Sequence, residues 1–126
     1  MRKRESKEGK EARHQFYERV LDKGGCWLHR IVPHECDGPI DPCHLFPKQR
    51  LKNMANLRGY EEKEMLAMVW DDRNGIPGCR SFHHRLDNGF IRIYWPQLPR
   101  AVKEFAADWD LEWEMKQIYR EETPHE

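Results

Sequence analysis

The apolar positions of the chain fall into short periodic runs separated by glycine, proline and charge. Phe16, Tyr17, Val20 and Leu21 share neighbouring positions of one helical face, which predicts an amphipathic helix over residues 14 to 22, stopped by Gly24-Gly25. Ahead of it, residues 1 to 13 alternate charge without apolar anchors and are expected to fray. Met65, Leu66, Met68, Val69 and Trp70 predict a helix over residues 61 to 70. Asp72-Arg73-Asn74-Gly75 has turn composition, Ile76 to Gly78 fit a short strand, and Cys79 to Leu86 fit a helix ended by Asn88-Gly89. Phe90 to Tyr94 alternates as a strand does until Pro96 interrupts it. Pro99 suits the first turn of a helix running to about Asp108, and Leu111 to Arg120 continues as a last amphipathic helix. From Cys26 to Cys43 there is no helical period; three Cys and two His stand there, in backbone expected to be held by something other than an apolar core.

This mixture predicts an α+β domain. Three stretches are expected: a charged extension with a short helix (1–25), a central core (26–95) and an acidic helical segment (96–126). With 126 residues, 38% hydrophobic and 35% charged, the core should be thin, and small domains of this kind often lean on a metal. No apolar run reaches membrane-span length and no secretory pattern opens the chain, so a cytoplasmic setting is expected, in a host cell if the chain is phage-encoded. There the four cysteines would be reduced and suited to metal rather than disulfides. The formal net charge is zero, but residues 44 to 100 hold ten Lys and Arg against six Asp and Glu, while residues 101 to 126 hold three against eight. A basic middle can therefore face an anionic partner although the chain as a whole is neutral.

Two clusters carry the chemistry. The first is Pro39-Ile40-Asp41-Pro42-Cys43-His44-Leu45-Phe46-Pro47-Lys48; the second is Asp72-Arg73-Asn74-Gly75-Ile76-Pro77-Gly78-Cys79-Arg80-Ser81-Phe82-His83-His84. In order they give a His with a proline shortly after it, an Arg-Asn-Gly turn, and a Cys followed closely by His on a predicted helix. Over residues 26 to 88 the chain resembles the HNH endonucleases, particularly their small phage-encoded members.

The resemblance implies a ββα-metal (HNH) finger with flanking helices and metal-dependent hydrolysis of DNA phosphodiester bonds, with a role in phage genome processing or packaging. Such hydrolysis must activate a water and neutralise a departing 3′ oxygen. By resemblance His44 is the general base, Asn74 braces the loop that orients it, and a His of the helix holds a catalytic divalent ion. A neutral imidazole suits the first role because its ordinary pKa lies near 7. The family usually places Asp or His, a metal ligand, immediately before the base; here that residue is Cys43, a softer donor, with Asp41 or water as the alternative. His84 lies about 100° around the helix from His83 and is assigned to this ion, with His83 the competing choice. Mg2+, Mn2+, Ni2+ and Zn2+ stay open as its identity.

Many family members also hold a structural zinc through two Cys-x-x-Cys pairs. This chain has no such pair. It has Cys26, His29, Cys36 and Cys79, with His83 four residues after Cys79. Helix positions i and i+4 share a face, so Cys79 and His83 are expected to grip one zinc, completed by Cys26 and Cys36, with His29 as substitute for either. Lys48, Arg50, Lys52 and Arg85 flank the clusters as phosphate contacts to double-stranded DNA, read with little sequence preference. A phage packaging or replication protein is a further implied partner. The main rival is a non-catalytic zinc module that binds nucleic acid or a protein, which Cys43 and the neutral net charge favour. A second rival is an interaction protein that docks through its acidic tail.

Overall fold

Two extended runs meet as the only strands among the described residues. Ile40–His44 (β1) pairs antiparallel with Gly75–Cys79 (β2), in a register that sets Ile40 opposite Cys79 and His44 opposite Gly75. β2 passes directly into a helix, Arg80–Asp87, so strand, strand and helix converge on Cys79. In this computed structural model, which describes residues 5 to 121, the other helices are α1 (Lys7–Leu21), α2 (Trp27–Ile31), α3 (Lys48–Leu57), α4 (Glu62–Val69), α6 (Arg100–Asp108) and α7 (Glu112–Ile118), with Arg80–Asp87 as α5. Short 3-10 turns lie at Asp72–Asn74 and Trp95–Gln97. The α+β class expected from the sequence is the class observed. Among the described residues no helix is long and apolar enough to cross a membrane.

Glycines on β2 let helices press directly on the strand. A Cβ at Gly75 would fall 2.4 Å from Val20 Cγ2 and 2.6 Å from Phe16 Cζ; one at Gly78 would fall 2.5 Å from Leu28 Cδ1. α1 thus crosses the His44 end of the hairpin and α2 the Cys79 end. Phe16, Val20, Leu28, Leu45, Phe46, Leu51, Met68, Ile76, Phe82, Phe105, Leu111 and Met115 are buried in one continuous cluster, to which all three expected stretches contribute. Burying each such side chain stabilises the fold by about 1.5–3 kcal/mol.

Several expectations give way to the structure. Residues 7 to 13, expected to fray, are helical, because Ser6 caps α1 by accepting from Gly9 N at 3.0 Å; residues 1 to 4 lie outside the described residues. The residues after Pro47, where no element was expected, form helix α3, with Leu51 and Ala55 four apart and buried. Part of the irregular stretch after Cys26 is the five-residue helix α2. Phe90 to Tyr94 forms no strand. The neighbouring amides are satisfied elsewhere: Tyr94 N donates to Gln97 Oε1 at 2.8 Å and Trp95 N to Arg120 O at 2.8 Å. Alternation alone does not make a strand without an edge to pair with.

The C-terminal helices are tied to the hairpin region by polar links. Arg73 bonds both Asp71 and Asp108, Trp109 Nε1 donates to Asp71 at 3.0 Å, and the buried Tyr119 hydroxyl donates to Leu45 O. Of the acidic tail, residues 122 to 126 lie outside the described residues.

Candidate functional site

The loop after α2 folds back so that Cys26, His34 and Cys36 meet Cys79 at the end of β2, with all four ligand atoms within 4.8 Å of one another. His34 Nε2 lies 3.7 Å from Cys26 Sγ, 3.7 Å from Cys36 Sγ and 3.3 Å from Cys79 Sγ. Zinc–sulfur bonds of about 2.3 Å and zinc–nitrogen bonds of about 2.0–2.1 Å, at tetrahedral angles, put such atoms roughly 3.6 Å apart. The group is a Cys3His cluster whose spacing is consistent with a structural zinc.

The surroundings favour the same ion. His34 Nδ1 lies 2.7 Å from Val32 O, a partner that fixes the proton on Nδ1 and leaves the Nε2 lone pair facing the sulfurs. The ring stacks on Phe82, centroids 3.8 Å apart. Cys79 N donates to Cys26 Sγ at 3.2 Å. Burial opposes ionisation of Cys79, but hydrogen bonds from the Asp37 and Phe82 backbone and from His34 bring its thiol down to about 7. Cys36 is pushed up to about 11 by desolvation and by the neighbouring Cys26 and Cys79. Three sulfurs this close share negative charge comfortably only around a cation.

Cys26, Cys36 and Cys79, all expected at zinc, come together, but the fourth member of the cluster is His34 and not His83. The reason is local. Cys79 is the N-cap of α5 with extended backbone (φ −64°, ψ 143°), not a residue of its first turn, so the i, i+4 rule does not carry its thiol to the face of His83. The true helical partner of His83 is Asp87, whose carboxylate lies 3.3 Å from Nε2. His29 also stays outside the cluster; its Nδ1 lies 2.6 Å from His34 O and braces the loop that presents His34. His34 carried no sequence signal beyond its place between Cys26 and Cys36.

At the other end of the hairpin, His44 closes β1. Its Nε2 lies 2.9 Å from Val69 O, and its ring stacks on Phe16 with centroids 4.4 Å apart and meets Trp70 edge-on. Burial pushes its pKa down to about 4, with Lys48, His83 and Lys52 adding to the fall and the Val69 carbonyl opposing it. The imidazole is therefore neutral at pH 7; donating Nε2–H to Val69 leaves the lone pair on Nδ1. Asn74, fully buried, grips the chain just beyond: Oδ1 accepts from Phe46 N at 2.7 Å, and Nδ2 donates to Phe46 O at 3.1 Å. Leu45 N donates to Asn74 O at 3.0 Å.

The residues expected at a second ion do not converge. Cys43 is buried; its thiol donates to Asp41 O at 3.4 Å, and burial raises its pKa well above the ordinary thiol range. As a protonated core residue it offers no thiolate. Asp41 is engaged by Arg80 through two bonds of 2.9 and 3.0 Å. His84 is exposed, whereas His83 is half-buried and its Nδ1 is a buried polar atom without a hydrogen-bond partner. Among the described residues, no second group of three His, Cys, Asp or Glu ligand atoms comes together. Lys48, Arg50 and Lys52 stand exposed on α3 and Arg85 on α5; Lys48 and Lys52 are near enough to His44 to depress its pKa. Comparison with family models, curated proteins and solved structures finds no match.

Proposed function

We propose that this chain is an HNH-type nuclease, a ββα-metal finger stapled by zinc at one end of its hairpin and cutting DNA at the other. One observation carries this reading: a neutral, half-buried His44 at the end of β1, with the chain directly after it clamped by the buried Asn74 of the turn that opens β2. This is the arrangement that the order His, Asn, helix His implies. The orphaned Nδ1 of His83 supports the same site and favours His83 over His84 as the donor to a divalent ion. When bound there, such an ion would polarise the phosphate and stabilise the departing oxygen, with Cys43 taking no part in holding it.

The roles of the chain's own residues follow from their geometry. His44 Nδ1 takes the proton of the attacking water, while Val69 O fixes the ring and its tautomer. A conjugate acid near 4 makes His44 a weak base in the free protein. An anionic phosphodiester beside it would counter the lowering by Lys48 and Lys52, which comes after that by burial. Lys48, Arg50, Lys52 and Arg85 hold the phosphates of the substrate.

The test is a nicking assay on supercoiled plasmid with magnesium, manganese, nickel, cobalt and zinc in turn. Cleavage is expected with at least one ion, with His44→Gln reducing the rate about 10²- to 10⁴-fold. His83→Ala should lower it further than His84→Ala. No cleavage by the wild type with any ion would leave the second reading, a non-catalytic zinc module, which the burial of Cys43 favours.

A further inference from the structure

Beside His44 lies a cleft of about 400 Å³ that the expected DNA contacts do not touch. His44 forms one wall, the segment after α5 a second, and the end of α7 with the residues beyond it a third. Its volume is that of a small-ligand pocket, and a paired, stacked duplex cannot enter one. The lining is mixed in the way a nucleotide requires. Ile91, Tyr94 and Ile118 supply apolar and aromatic surface, while Arg92 and Arg120 supply positive charge. Both arginines are exposed and make no ion pair among the described residues.

Two further features of the segment suit a ligand. Among the described residues, the backbone N–H groups of Ile91, Arg92 and Ile93 have no hydrogen-bond acceptor, so a phosphate or a base edge can take them. Phe90, between two residues that line the cleft, is 79% exposed, so its ring is open for a base to stack on.

We propose that this cleft binds a nucleotide of an unpaired DNA strand, with Arg92 and Arg120 on its phosphates and Tyr94 and Phe90 against its bases. The proposal rests on the nuclease reading and gives it a substrate: a strand that is single or locally opened at the site of cutting. Aromatic side chains and arginines along a groove are the general means of holding single strands without sequence preference.

The test is fluorescence anisotropy with a labelled single-stranded 12-mer deoxyoligonucleotide, its duplex and the matching RNA strand, using the zinc-loaded chain without other divalent ions. The DNA strand should bind about tenfold or more tightly than the duplex. The double variant Arg92→Gln/Arg120→Gln should weaken strand binding and make the slope of log affinity against log salt shallower by about 1.4, the value for two lost phosphate contacts on a single strand. Phe90→Ala should weaken it by roughly 5-fold or more. Melting temperature and zinc content of the variants, whose altered side chains are surface groups, should stay at wild-type values. Equal or tighter binding of duplex, equal or tighter binding of RNA, or an unchanged salt slope in the double variant would each overturn the proposal. Because no cleavage is measured, the two readings separate. A chain that binds the strand as described yet never cuts removes the nuclease and keeps the cleft; one that cuts plasmid while the double variant binds normally removes the cleft alone.

Discussion

His44 shows how one residue's surroundings set both its chemistry and its cost. The fold holds its pKa near 4, against an ordinary 6.5. A histidine depressed in this way binds its proton more readily in the unfolded chain. Its contribution to stability is whole above pH 6.5 and is lost as pH falls from there to about 4, amounting to about 3 kcal/mol in all. Melting followed between pH 7.5 and 4 should therefore show a steeper decline in the wild type than in His44→Gln, whose remaining slope comes from the zinc ligands and carboxylates that titrate in the same window; parallel pH profiles would refute the assignment. His44→Ala is the poorer variant for catalysis, since it also deletes the stack on Phe16. The two other histidines of interest separate just as clearly. His34→Ala should purify with little zinc and His83→Ala with the wild-type content, as measured by elemental analysis. The reverse result would return His83 to the cluster and remove His34.

At the scale of elements, the sequence made some things legible and hid others for physical reasons. The helices α4, α6 and α7 and the step from β2 into α5 follow from period and from turn residues, because there the local pattern and the tertiary contacts agree. Cys26, Cys36 and Cys79 stood out because cysteines expected to stay reduced in a chain with a thin core suit a metal. His34 did not, because the ligand set is assembled by a loop closing on a strand end, a contact no helical rule encodes. The strand expected over residues 90 to 94 failed for the complementary reason: Ile93 is buried as alternation predicts, but no edge lies beside it. Gly75 of β2 looked like turn chemistry and is a packing surface instead. Gly75→Ala must push its new methyl into Val20 and Phe16, and the aromatic neighbour is itself pinned against His44. A loss of about 1–3 kcal/mol is expected, read as a lowered melting temperature and loss of the His44 environment in NMR. Gly24→Ala, at an open surface position but with φ of 77°, should cost less than this, through backbone strain alone. Equal effects of the two substitutions would argue against the close approach of α1 to β2.

Over the whole molecule, the two ends of the hairpin are braced by different means. The His44 end is held by apolar packing from α1, by Asn74 of the turn before β2 on Phe46, and by links to the C-terminal part: Tyr119 on Leu45, and Arg73 between Asp71 and Asp108. The Cys79 end has α2 above it, five residues long, and a loop from Val32 to Pro39 with little apolar surface. An isolated helix of that length has no stability of its own. Leu28, the buried residue of α2, rests on Gly78, with Cys26 on one side of the helix and His34 and Cys36 on the other meeting Cys79. Metal-binding energy in such a place is folding energy. Removing zinc with a chelator should lower the melting temperature and open residues 26 to 39 to hydrogen exchange first, with amides of α5 following because Cys79 begins that helix. Amides of α6 and those around the Asp71–Arg73–Trp109 links should keep their protection, since no ligand lies on them. Restoring zinc, but not magnesium, should reverse the change, because three thiolates and an imidazole select the softer ion. Uniform loss of protection across the chain would mean that zinc holds the whole fold rather than one end of the hairpin, and unchanged exchange at residues 26 to 39 would mean that the cluster holds no structural ion.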